Sequence, residues 1–172
     1  MIWNESKNWS SSNKNTRRSL IRHDLGVAKR KPRVVALALI RRPGTRVILV
    51  SNSRDEVAGV RFQRPFGGGV EFGERGDEAL RRELVEELGV ELAEARLVGA
   101  VENLFVFEGQ PGHEILLLYE TGFADASLYE KDRFEGVEAE PKTGVWRDLD
   151  NPQSGCPLYP PGLATYLAAG TR

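Results

Sequence analysis

Glu83, Glu86 and Glu87 stand at i, i+3 and i+4 in a segment with helical apolar spacing, so one helix face carries all three carboxylates. Like charges on adjoining turns repel and lower helix stability by roughly a few tenths of a kcal/mol per pair. Two readings account for them. A hard divalent cation such as Mg2+ takes oxygen ligands and would turn the repulsion into binding. Alternatively the face is solvated, with Arg81 and Arg82 supplying the compensating charge. Just upstream runs Arg64-Pro65-Phe66-Gly67-Gly68-Gly69-Val70-Glu71-Phe72-Gly73-Glu74, too dense in glycine for a regular element. Such a backbone turns sharply and approaches a ligand closely, with carbonyls available to a metal.

The elements that must position these residues are legible as apolar patterns. Leu80, Leu84 and Leu88 form the buried stripe of a helix that begins near Asp77 and stops at Gly89. Upstream, the apolar run from Val34 to Ile40 and the segment Arg46 to Val50 flank the turn Arg41-Arg42-Pro43-Gly44, which predicts a hairpin. Ser51 to Gln63 reads as a loop. Downstream, strands are expected at Arg96 to Ala100, Leu104 to Phe107 and Glu114 to Thr121, the last two joined by the turn Glu108 to Gly112. A final strand around Gly144 to Leu149 and a helix from about Pro161 to Ala169 close the chain. Strands and helices mix without strict βαβ alternation, which favours a mixed sheet covered by helices.

The chain has 172 residues, 24 Lys+Arg against 25 Asp+Glu and a formal charge of -1. That length suits one domain, here residues 32–172, behind a flexible, basic and polar N-terminal extension, residues 1–31. Glu5, Asp24 and the lack of an amphipathic stripe count against a transit peptide, and Trp3 and Trp9 are available to pack on the domain or a partner. Balanced charge argues against a dedicated nucleic-acid or membrane-surface binder. The longest apolar run, Val34 to Ile40, is far too short to span a bilayer. Cys156 is the only cysteine, so no intrachain disulfide or cysteine zinc site forms, and a reducing, cytoplasmic setting fits.

From Gly68 to Val90 the chain matches the Nudix box, G-x5-E-x7-R-E-U-x-E-E-x-G-U with U a bulky aliphatic, at every specified position: Gly68, Glu74, Arg82, Glu83, Leu84, Glu86, Glu87, Gly89 and Val90. The sequence therefore resembles the Nudix hydrolases. The resemblance implies an α/β fold of α+β type, a Nudix-like α/β/α sandwich with a mixed β-sheet and a loop–helix–loop catalytic motif. It makes Glu83, Glu86 and Glu87 metal ligands, joined by the Gly67 carbonyl, for two or more Mg2+ or Mn2+ ions. It makes Glu74 and Arg82 supports of that shell and places Gly67, Gly68, Gly69 and Phe66 against the substrate. Glu71 occupies a place often acidic in the family, with a solvated loop carboxylate as the alternative. One departure is visible: many members have Pro directly before the glycine pair, whereas here Pro65 is followed by Phe66.

The activity implied is hydrolysis of a phosphoanhydride in a nucleoside diphosphate linked to another group, by a metal-activated water attacking phosphorus. The general base is either Glu83 or a later acid, for which Glu114, Glu120, Glu138 and Glu140 are candidates; each is also an ordinary surface carboxylate in form. His113 reads as a polar strand-end residue, and Phe66 and Trp146 either stack on a base or pack inside. Marks of the family's ADP-ribose, diadenosine-polyphosphate and NADH subgroups are absent, so nucleoside triphosphates, nucleotide sugars, ADP-ribose and related dinucleotides all stay open. Two other readings compete: a non-catalytic nucleotide sensor, and an RNA 5′-end pyrophosphatase served by Arg17, Arg18, Arg22, Lys29, Arg30, Lys31 and Arg33. The intact box favours catalysis on a small-molecule nucleotide, and a homodimer fits the family.

Overall fold

The computed structural model describes residues 30–139, 142–151 and 156–169. The chain divides into two units, Met1–Lys31 and Pro32–Arg172, and the fold below is that of the second. Its strands are β1 (Arg33–Ile40), β2 (Val47–Asp55), β3 (Val60–Arg64), β4 (Arg96–Phe107), β5 (Gln110–Thr121), β6 (Arg133–Glu135) and β7 (Thr143–Asp148). Helix α1 spans Gly76–Leu88, helix α2 Leu163–Ala169, and a 3-10 turn covers Ala126–Glu130. One sheet is mixed, in the order β1-β5-β4, with β1 parallel to β5 and β4 antiparallel to it. The other is antiparallel, in the order β3-β2-β7-β6.

β1 is the hinge of this architecture. Its last six residues are all buried, the signature of a strand covered on both faces rather than one. Ala36, Ala38 and Ile40 pack with Leu80, Leu84 and Leu88 of α1, whereas Val35, Leu37 and Leu39 pack with Leu163 and Leu167 of α2. Strand alternation thus splits the core into two layers, and the sandwich follows. Each of the three α1 leucines is worth about 2–5 kcal/mol against alanine at such burial.

The same double coverage overturns the expected β1–β2 hairpin. The turn forms, with Arg42 N–H donating to the Val47 carbonyl at 2.9 Å and Arg41 bridging Ile48. Beyond it the strands part: β1 joins β5, and β2 joins β3 and β7. A strand with two apolar faces demands cover on both sides, which a simple hairpin does not supply. The expected loop from Ser51 to Gln63 is instead the rest of β2, a tight turn and β3, with Asp55 Oδ1 accepting from the Ala58 N–H at 2.8 Å. The two expected strands within residues 96–107 are one, irregular between Leu97 and Gly99. Helix α1 begins at Gly76, one residue before the expected start, where Glu78 accepts from the Arg75 N–H at 2.9 Å. It ends at Gly89, whose φ of 65° is the left-handed turn expected of that residue.

Candidate active site

The glycine segment is laid along the free edge of β1. Ala38 N–H donates to the Phe66 carbonyl, Ala36 N–H to Gly68 and Val70 N–H to Val34, each at 2.9 Å. This ladder uses the carbonyls of Phe66 and Gly68 and passes over that of Gly67. β1 therefore carries α1 on one face and the loop on its edge, which brings the loop to the helix.

The contact is close. Gly67, at φ 129°, donates its N–H to Glu87 Oε2 at 3.1 Å, and its own side-chain position is filled by the Ala36 carbonyl. The Glu83 carboxylate lies against the Cα of Gly68. Gly69 has more room, with the Arg33 guanidinium as its nearest neighbour. Only glycine meets both demands at Gly67, a φ closed to L side chains and a backbone in contact.

Arg82 ties loop to helix with five hydrogen bonds. Its Nε and Nη2 reach Glu74 Oε1 and Oε2 at 3.0 and 3.1 Å, a bidentate pair. Nη2 also reaches the Gly69 carbonyl at 3.0 Å, and Nη1 bonds Glu83 at 2.9 Å and Glu86 at 3.1 Å. The bonds to Glu74 and then Glu83 hold the guanidinium proton above its ordinary range. In return the Arg82 bond, followed by the Glu71 N–H, holds the Glu74 carboxyl below its ordinary value. This set of bonds uses the planar fork of arginine, which a lysine lacks.

Glu87 is only 3 % exposed, and its second oxygen receives the ammonium of Lys142. Glu83 is largely covered, and Glu86 is 51 % exposed. Lys142 was not foreseen from the sequence; it is 55 positions from Glu87 and no local spacing links them.

The other expected residues disperse. Phe66, placed against the substrate by sequence, is a correction: it is 2 % exposed in the α1 core, its ring packed over Gly144, so it has no face to offer a base. Trp146 packs with Phe123, Tyr129 and Phe134, and Arg42 lies 4.8 Å from its ring centre. Glu114 is buried beside Arg33 at 3.9 Å, and strand alternation with Leu116 and Leu118 turns it toward α2, away from the α1 carboxylates. Glu120 pairs with Arg96 and Arg41 at the far end of β5. His113 meets Glu102 at 3.0 Å. Glu71 is exposed in the loop and Glu138 exposed in the segment before β7; Glu140 falls outside the described residues.

The donor set, three carboxylates and a carbonyl, is the hard-oxygen chemistry that Mg2+ or Mn2+ requires. Positive charge is already gathered around it, through Arg82 and Lys142. Among the described residues, no three His, Cys, Asp or Glu side chains converge on one point as a ready-made cluster. The fit is one of ligand type and proximity, with protein cations now holding the oxygens.

A family model of the NUDIX domain matches residues 31–152. An oxidized purine nucleoside triphosphate hydrolase of Danio rerio is 32 % identical over 120 residues, 69 % of this chain and 67 % of that protein. The crystal structure of a MutT NUDIX hydrolase from Burkholderia pseudomallei is similar over 83 % of this chain and all of its own, at 26 % identity and a TM-score of 0.59. A NUDIX hydrolase from Nitrosomonas europaea, 16 % identical, shares the fold over 81 % of this chain and 87 % of its own, at a TM-score of 0.55. The chain belongs to the Nudix hydrolases. It is thus an enzyme of the family that hydrolyses nucleoside diphosphate derivatives with divalent metal ions. Among the described residues no helix is long and apolar enough to cross a membrane.

Proposed function

We propose that residues 32–172 form a Mg2+- or Mn2+-dependent pyrophosphohydrolase whose substrate is a purine nucleoside triphosphate, an oxidised purine included. The observation that carries the chemistry is the seating of the Gly67–Gly68 backbone directly on the Glu83 and Glu87 carboxylates. The substrate class rests on the likeness to the Danio rerio hydrolase of oxidized purine triphosphates, over two thirds of both chains.

In this reading Glu83, Glu86, Glu87 and the Gly67 carbonyl would hold two or more ions. Such ions neutralise a diphosphate, polarise phosphorus and acidify a water. The backbone of Gly67, Gly68 and Gly69 approaches the diphosphate, because no side chain stands off from it there. Glu83, between Arg82 and Gly68, takes the proton of the attacking water as its oxygen bonds to phosphorus. The anhydride P–O bond breaks, releasing a nucleoside monophosphate and pyrophosphate. Arg82 keeps Glu74, Glu83 and Glu86 in place throughout. Glu83 is taken as the base for its seat against the Gly68 backbone; Glu114 is buried on the α2 side and Glu120 is paired with two arginines. Cytoplasmic location, suited to the single Cys156, and a homodimer complete the proposal.

The test is a panel of purine nucleoside triphosphates, an 8-oxo-purine among them, with a nucleotide sugar and ADP-ribose, assayed with Mg2+ and Mn2+. Turnover highest on triphosphates, and reduced about 10²–10⁴-fold in Glu83→Gln, is expected. Preference for ADP-ribose or a nucleotide sugar would overturn the substrate class. Undiminished turnover in a folded Glu83→Gln would overturn the base.

A further inference from the structure

The two cations that hold the acidic face are unlike. Arg82 is committed elsewhere: three of its five bonds go to Glu74 and to the Gly69 carbonyl, and it ties the loop to the helix. Lys142 is committed to nothing else, bonding Glu87 and no other acceptor among the described residues. Its side chain is 44 % exposed and reaches in from the segment before β7. Glu87 is held a second time through its backbone, where its carbonyl accepts from the Val137 N–H at 3.0 Å. Glu87, in contrast, is nearly sealed from water. Burying a carboxylate is costly unless a positive charge and hydrogen-bond donors compensate it. Here these are one ammonium and the Gly67 N–H.

From this asymmetry we propose that Lys142 is an exchangeable counter-ion for Glu87. It holds the carboxylate aimed at the glycine loop in the metal-free enzyme, and withdraws when a divalent cation takes the same oxygen. The inference rests on the reading of Glu87 as a metal ligand and extends it. A flexible four-carbon stem with a compact charge suits a group that must leave, whereas the fork of Arg82 suits one that must stay. The exchange raises the cation concentration the enzyme needs, because only the fraction of molecules with Glu87 released binds the ion there. In return, Glu87 stays turned to the Gly67 N–H while the ion is absent.

The experiment is direct binding of Mn2+ to the full chain without nucleotide, followed by the electron paramagnetic resonance of free Mn2+. Lys142→Met removes the competing charge and keeps the stem, so Mn2+ binding should tighten about tenfold if Lys142 holds Glu87 in nine molecules of ten. Lys142→Arg keeps the charge and should stay near the parent affinity. Unchanged or weaker binding in a folded Lys142→Met overturns the proposal. Should that variant fold poorly, saturating Mn2+ should raise its Tm by more than it raises the parent's, the ion replacing the lost cation; no larger rise overturns the proposal equally. Glu87→Gln separates the two levels of inference. Undiminished Mn2+ binding in that variant removes Glu87 from the metal site altogether. Weakened binding there, with no tightening in Lys142→Met, leaves the site standing and removes only the counter-ion.

Discussion

The carboxylate of Glu83 occupies the space that a methyl group on Gly68 would need: a Cβ built there lies 2.2 Å from both Cδ and Oε2 of Glu83. Gly68→Ala must therefore push Glu83 off its present position, while Gly69→Ala meets only the end of the Arg33 side chain at 3.4 Å. Displacing a reacting group by about 1 Å costs on the order of 10²-fold in rate. Steady-state assays should show Gly68→Ala losing at least that much kcat/KM with its circular dichroism unchanged, and Gly69→Ala losing only a few-fold. Equal effects of the two would contradict the placement of Glu83.

Gly67 makes a different prediction, on stability. Its φ of 129° and a built Cβ only 2.1 Å from the Ala36 carbonyl oxygen leave no side chain a place, and the obstacle is backbone. Gly67→Ala should lower unfolding free energy by about 1–3 kcal/mol or more, read from urea denaturation. A variant as stable as the parent would show that the loop does not run along β1 as described.

Arg82→Lys keeps the charge and loses the fork. A lysine cannot span both oxygens of Glu74 and still reach Gly69, Glu83 and Glu86. Turnover should fall by roughly 10–100-fold, in the range seen when groups that orient metal ligands are removed. Limited proteolysis should cut more readily near Phe72 as the loop loses its anchor. Parent-like kinetics would mean that charge alone suffices.

Acid should loosen the same anchor. Glu74 titrates below its ordinary 4.5 when folded and near that value when unfolded. A carboxylate shifted down on folding contributes stability that is complete above the unfolded value and is lost as pH falls through the folded one. Thermal melts below pH 4.5 should therefore drop less steeply in Glu74→Gln than in the parent. Parallel slopes for the two proteins would remove Glu74 from the linkage.

Deleting residues 1–31 should leave hydrolysis of small nucleotides within a few-fold of the full chain, because every residue assigned to the site lies between Gly67 and Lys142. A large loss in the standard assay would make the extension part of the catalytic unit.

Much of the site was legible in the chain itself, and the reason is helical. Residues three and four apart on a helix are neighbours wherever the helix is placed, so Glu83, Glu86, Glu87 and the stripe of Leu80, Leu84 and Leu88 declare their faces without a tertiary structure. The stop at Gly89 is equally local, whereas the need for glycine at Gly67 comes from its contact with the Ala36 carbonyl across the loop. The more apolar strands were legible as well, but β3, expected as loop, and β6 were not, and neither were strand partners. Apolar periodicity says that Val34 to Ile40 is buried, but it carries no information on which strand lies beside it. The β1–β2 hairpin therefore gave way to pairing with β5, across a separation of some eighty residues in the chain.

Tertiary structure alone decided the rest. It sent Phe66 into the core and Glu114 to the α2 side, since burial depends on which sheet face a strand is dealt, and it brought Lys142 to Glu87 from 55 positions away. Short-range spacing encodes which chemical groups stand together on one element. The fold determines which charges meet across elements, because those contacts form only when the core closes and water is excluded between them.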